Sequence, residues 1–159
     1  MALGALLPPG LNAASDTLVG WSARGVNETA GTDFSVFSLH PPGSTIRAQF
    51  MLGGLLVTND ADIFVTYEAV ADASGSLNST SFGKGNFYDY AEALHGVALT
   101  PDEGLDGFAM PGLANDPQAM GFDPAQRWFY ANAIPITPRR GHAFRSRALR
   151  LSHIEFVAH

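Results

Sequence analysis

Ile63-Phe64-Val65-Thr66-Tyr67-Glu68-Ala69-Val70 is the stretch that decides the fold. Six of its eight residues are β-branched or aromatic, side chains that suit a pleated, half-buried surface. Asn59-Asp60-Ala61-Asp62 precedes it and Asp72-Ala73-Ser74-Gly75 follows, and both read as turns. Working back, Gly53-Gly54 stands between Phe50-Met51-Leu52 and Leu55-Leu56-Val57 as a hairpin turn. Ile46-Arg47-Ala48-Gln49-Phe50 alternates apolar and polar, the period of a half-buried strand. Phe34–Leu39 reads as another strand, closed by His40-Pro41-Pro42-Gly43. Short β segments at this spacing predict a mainly β, sandwich-like (Ig-like) domain with one or two short helices and long loops.

Before residue 33 the texture is irregular. Pro8-Pro9-Gly10, Gly20, Gly25 and Gly31 punctuate weak apolar content, and Trp21 is expected to dock on the domain. After residue 70 comes a Ser/Gly/Asn/Thr stretch, 71–85, too small and polar for core. A helix then follows. Asn86 is a good N-cap with Asp89 three residues on, Phe87, Tyr90, Ala91 and Leu94 make one stripe, and Gly96 is the expected stop. A second short helix is predicted from Asp123, with Pro124 at its first position, through Trp128 and Phe129 to Asn132. Thr100–Gly121, between them, is a long loop of the kind that is either functional or mobile. The chain thus divides into an irregular segment 1–32, a β-rich domain 33–138 with a helical insert, and a basic tail 139–159.

Charge sets that tail apart. Residues 1–138 hold four basic and fourteen acidic residues, a net of −10, whereas the last 21 hold five arginines and one acid, a net of +4. Clustered arginines can neutralise phosphates, but the acidic body would repel a polyanion, which argues against nucleic acid. The all-arginine, Ala/Ser-rich texture also resembles a GC-rich gene read out of frame. Two expectations follow. A foreign end would pack poorly and expose Phe144, Leu149, Leu151, Ile154 and Phe156. A genuine final strand would bury Ile154 and Phe156 against Val65 or Tyr67.

Charged residues are 15% of the chain, against about 25% in an average soluble protein. With 17 Gly, 11 Phe and loops of Ser, Thr and Asn, this composition leans toward an exported, periplasmic or extracellular domain. With no cysteine, disulfides, thiolate metal sites and C-x-x-C-H haem attachment are excluded within this sequence. No apolar run approaches the ~20 residues of a membrane-spanning helix. Met1–Leu7 is apolar but lacks the basic flank of a signal peptide.

No catalytic signature or metal motif emerges, and no cofactor is predicted. Asp102-Glu103-Gly104-Leu105-Asp106-Gly107 gathers three carboxylates and imitates part of a calcium loop, but Gly104 and Leu113 fall where an EF-hand needs ligands. The simpler reading is an acidic loop whose aspartates cap turns. The same carboxylates with Asp123 and His95 make the alternative, a carboxylate-dependent hydrolase. Gly83-Lys84-Gly85 lacks the spacing of a phosphate loop. The aromatic group Phe82, Phe87, Tyr88, Tyr90, Phe108, Trp128, Phe129 and Tyr130 offers faces for a sugar or a partner, although most of it reads as core; Tyr88 and Tyr130 are expected to face outward. The candidate surface is therefore Tyr88, His95, Asp102, Glu103, Asp106 and Tyr130, on the long loop, the helix and their surroundings.

Val65–Asp72, Gly75–Asn78, Gly83-Lys84, Asn86-Phe87, Ala93-Leu94, Gly96-Val97, Ala109–Gly112, Pro117–Met120 and Ile134–Pro138 together resemble a module of exported proteobacterial proteins, some of which carry c-type haem motifs further along. The resemblance spans roughly residues 32–138 and ends where the basic tail begins. It implies export and an association with an electron-transfer partner, and brings no activity with it. Taken together, the expectation is a non-catalytic binding or structural module with a protein partner or self-association, the alternatives being the hydrolase and a calcium-stabilised adhesion-type module.

Overall fold

A computed structural model describes residues 15–27, 33–35, 43–71, 74–135, 143–150 and 154–157. Two antiparallel sheets face one another across the core, as a β-sandwich requires. The first carries β1 (Thr17–Asn27), β2 (Gly43–Leu52), β7 (Trp128–Ile134) and β6 (Gly121–Asp123) in that spatial order, with β3 (Leu55–Leu56) also paired to β2. The second runs β5 (Gln118–Ala119), β4 (Ile63–Val70), β8 (Ala143–Arg150) and β9 (Ile154–Val157). The chain passes from one sheet to the other at Met120, whose amide still bonds the Val65 carbonyl at 2.9 Å.

Period-two alternation builds the core. Ala48, Phe50 and Phe129 of the first sheet meet Ile63 and Val65 of the second, with Leu18 and Val57 at the margin. A second cluster joins Ile46, Ala131 and Ile134 to Tyr67 and Met110. Tyr67 is fully buried, and its hydroxyl donates to the Ala109 carbonyl at 2.6 Å. Burial pushes its ionisation upward. At the hairpin Leu52↔Leu55, Gly53 and Gly54 take φ of 58° and 82°, the left-handed pair that a two-residue turn demands.

Two expectations need correction. Residues 17–27, read as irregular, form the eleven-residue strand β1. Its pattern is blurred by glycines and by register shifts between Ser22 and Arg24 and between Arg24 and Asn27. The second helix is absent from 123–132. Asp123 Oδ1 accepts the amides of Ala125 and Gln126 at 2.9 and 3.0 Å, Arg127 turns at φ 59°, and β7 follows. An Asp-Pro opening serves a turn as well as a helix cap, and the aromatic run Trp128–Tyr130 prefers the strand.

The first helix, α1 (Phe87–His95), does form and is closed by Gly96 in the left-handed region. Its buried face is Phe87 and Ala91, packed on Phe34, while Tyr90 is exposed rather than part of the stripe. Asn86 makes no cap bond with its side chain. Its Oδ1 instead accepts the Phe34 amide at 2.7 Å, and its Nδ2 donates to Asp33 at 2.9 Å. Phe34 and Ser35 lie in a turn; residues 36–42, including the rest of the predicted strand and His40, fall outside the described residues.

The basic tail supplies β8, paired with β4 in unbroken register from Ile63↔Arg150 to Val70↔Ala143. β9 adds to it with Phe156 opposite Ala148. The side chains of Ile154 and Phe156, on which the burial expectation rests, lie outside the described residues. No helix among the described residues is long and apolar enough to cross a membrane.

Candidate functional site

On the surface expected around the long loop, Asp102 and Tyr88 meet in a hydrogen-bonded junction with Ser81. Asp102 has φ 74°, and its carboxylate accepts from the Thr80 hydroxyl at 2.6 and 2.7 Å and from both the amide and the hydroxyl of Ser81. The Asp102 amide returns a bond to Ser81 Oγ at 2.8 Å, and its carbonyl accepts the Met110 amide at 2.9 Å. Ser81, so satisfied, is buried, and so is its neighbour Ser79, although their stretch reads as too polar for core. Tyr88 is half-buried rather than outward. Its hydroxyl lies 2.9 Å from Ser81 Oγ and 3.3 Å from the Glu103 carbonyl, and burial raises its ionisation.

Glu103 is exposed and takes the Thr100 amide at 2.8 Å, which lowers its carboxyl below the usual range. Asp106 is exposed. His95 tilts against Phe87 with ring centres 5.9 Å apart. Among the described residues, no three His, Asp or Glu side chains come together as a metal site. The loop itself is pinned to β4: the Asn115 side chain accepts from the Ala69 amide and donates to the Ala69 carbonyl, at 2.8 and 3.0 Å, like a short extra strand.

Tyr130 leads elsewhere, to the outer face of the first sheet. Trp128, Tyr130 and Asn132 alternate along β7 on the side away from the core. Arg47, directly opposite Tyr130 on β2, reaches across them. Its guanidinium carbon lies 5.7 Å from the ring centres of both Trp128 and Tyr130, a distance at which a cation is held by the ring faces. Its Nη1 donates to the Ile46 carbonyl at 3.1 Å and to Asn132 Oδ1 at 2.8 Å. Trp21, opposite Arg47 on β1, meets Trp128 edge to face at 6.0 Å. Phe108 buttresses Tyr130 at 5.6 Å.

A bulge aims Asn132 at Arg47. Ser44 pairs with Ile134 and Ile46 with Ala131, so β7 carries one residue more than β2 across that interval. Ala133 takes φ 49°, Asn132 and Ala133 both stay half-exposed, and Ile134 returns to the core. Bulges that re-aim a side chain cluster beside functional sites.

Arg47, Trp128, Tyr130 and Asn132 line an open cleft of about 390 Å³, which Phe122, Asp123 and Pro124 complete. The volume lies in the roughly 300–1,000 Å³ range of small-ligand sites. Asp123 contributes a carboxylate whose Oδ1 is used by its own turn. Sequence reasoning missed Arg47, Asp123 and Asn132 in this role. The signal was present as Trp128-x-Tyr130-x-Asn132, one face of a strand, but a helix over 123–132 scatters those three around its axis. No protein-family model, curated protein or solved structure matches the chain.

Proposed function

We propose that this protein is a non-catalytic binding module whose ligand site is the Arg47–Trp128–Tyr130 cleft on the outer face of the first sheet. The observation that carries the reading is the arginine fixed between two rings by Asn132 and the Ile46 carbonyl. Such a group is positioned before any ligand arrives, so little ordering cost falls on binding. The sheet backbone, the bulge at Ala133 and the Trp21 and Phe108 contacts hold it in place. In this reading the Asp102–Ser81–Tyr88 junction serves stability. Export to the periplasm or beyond is part of the proposal, supported by the low charge and the abundance of Gly, Ser, Thr, Asn and Phe. An electron-transfer partner remains an implication of the resemblance alone.

Ligand-observed NMR with a fragment set of saccharides, carboxylates, phosphates and aromatic acids tests the site. Binders are expected to lose their signal when Tyr130→Ala replaces the wild type, with no chemical change in any fragment. Binders indifferent to Tyr130, or turnover of a bound fragment, would overturn the reading.

A further inference from the structure

We infer that the cleft binds an uncharged, hydroxyl-rich ring compound, a saccharide of one or two units, laid on Trp128 and Tyr130; this rests on the binding reading above. The argument begins with charge. The cleft holds one cation, Arg47, and one carboxylate, Asp123, with no ion pair between them. An anion would gain from Arg47 but meet Asp123, and the whole chain carries a net charge of −6. A cation would gain from Asp123 but meet Arg47. An uncharged ligand that both donates and accepts uses both.

The unused polar groups point the same way. Arg47 spends Nη1 on Ile46 and Asn132, and its remaining guanidinium N–H groups have no acceptor among the described residues. Asn132 accepts through Oδ1, leaving its Nδ2 as a donor. Asp123 spends Oδ1 on its turn, leaving Oδ2 as an acceptor. The Tyr130 hydroxyl, which can do either, has no hydrogen-bond partner among the described residues. A planar apolar ligand would take water from these groups and leave them unpaired. Hydroxyls on adjacent ring carbons satisfy donors and acceptors together. The C–H face of the same ring lies on aromatic carbon, where half-buried rings offer apolar area at little cost in side-chain freedom.

The test uses tryptophan emission. The chain has two tryptophans, so Trp21→Phe leaves Trp128 as the only reporter in the cleft and keeps an aromatic ring at position 21. Cellobiose, xylobiose, maltose and mannobiose are titrated, with glucuronate and citrate as the anionic arm. A saturable change is expected with at least one neutral disaccharide, weakened about tenfold or more by Arg47→Ala. Asp123→Asn retains the turn-forming oxygen and adds a second discrimination. It should weaken a neutral saccharide and tighten an anion. Melting curves on each variant separate loss of the site from loss of the fold. Saturation by the anions alone, tightened by Asp123→Asn, overturns the saccharide and keeps the binding site. Saccharide binding untouched by Arg47→Ala in a folded variant overturns the assignment to this cleft. No saturable response to either arm overturns the inference, and the NMR screen then decides the binding reading independently.

Discussion

Asp102 shows how much one side chain can organise. A non-glycine residue at φ 74° is strained, and it persists where the surroundings over-determine it. Here Thr80, Ser81 and Met110 do so. Asp102→Ala would strand the buried Ser81 amide and take the carboxylate from the Thr80 hydroxyl, leaving Ser81 Oγ only the Tyr88 hydroxyl as an acceptor. A loss of about 2–3 kcal/mol is expected in denaturant unfolding, with the cleft's ligand affinity unchanged. Asp33 acts at the other side of the helix. The Asn86 side chain, with the Ser35 hydroxyl and amide, lowers its carboxyl from 3.8 to about 2. A depressed carboxyl gives stability that is complete above the unfolded value and disappears as pH falls through the folded one. The clasp between Asp33 and the start of α1 should therefore hold at pH 5 and open between about pH 4 and 2. The Asn86 side-chain amide resonances report it, and resonances unmoved across that window would refute the clasp.

At the scale of elements, β7 and its neighbours carry both fold and site. Gly121 on β6 stands opposite Tyr130, and a Cβ there would lie 2.8 Å from the tyrosine ring. The glycine is the floor on which that ring rests. Gly121→Ala should turn Tyr130 out of the cleft and weaken ligand binding severalfold, while stability shifts by about 1 kcal/mol or less because the ring sits on the surface. Equal affinity in the variant would show that Tyr130 is not needed where it lies. Much of this was legible beforehand. The β4 run, the alternation over 46–50, the Gly53-Gly54 turn and the Phe87–His95 helix all follow from local chemistry, and so did the sandwich. The cleft did not, for three separate reasons. Asp123-Pro124 opens a turn with the same bonds that open a helix. The bulge at Ala133 breaks the alternation that would have marked Asn132. Arg47 gains its meaning only from the cross-strand register, which no local window contains. The Asp102 junction was hidden for a related reason: a small polar residue such as Ser81 becomes core only once a distant carboxylate satisfies it.

For the whole molecule, the arginine-rich end decides whether there is a sandwich at all. β4 has β5 on one side over two residues only, at Thr66 and Tyr67, with the Asn115 side chain extending the pairing to Ala69. On its other side β8 pairs with all eight residues. Removing residues 139–159 would leave β4 with a long open edge, the amides and carbonyls that face β8 unpaired, on a strand bearing Ile63, Val65 and Tyr67 from the centre of the core. A two-stranded remnant is marginal at best. A 1–138 fragment is therefore expected to lose the cooperative thermal transition of the full chain and to aggregate on warming, although it retains every strand of the first sheet. Trypsin gives the complementary reading on the intact protein. Arg145, Arg147 and Arg150 sit within β8, opposite Glu68, Thr66 and Ile63, where backbone pairing denies the protease an extended strand. They should be cut at the rate of global unfolding, and a ligand in the distant cleft should slow that cutting because binding to the native state lowers the unfolded population. A 1–138 fragment that melts cooperatively at the temperature of the full chain would show instead that β8 is an ornament on a complete domain.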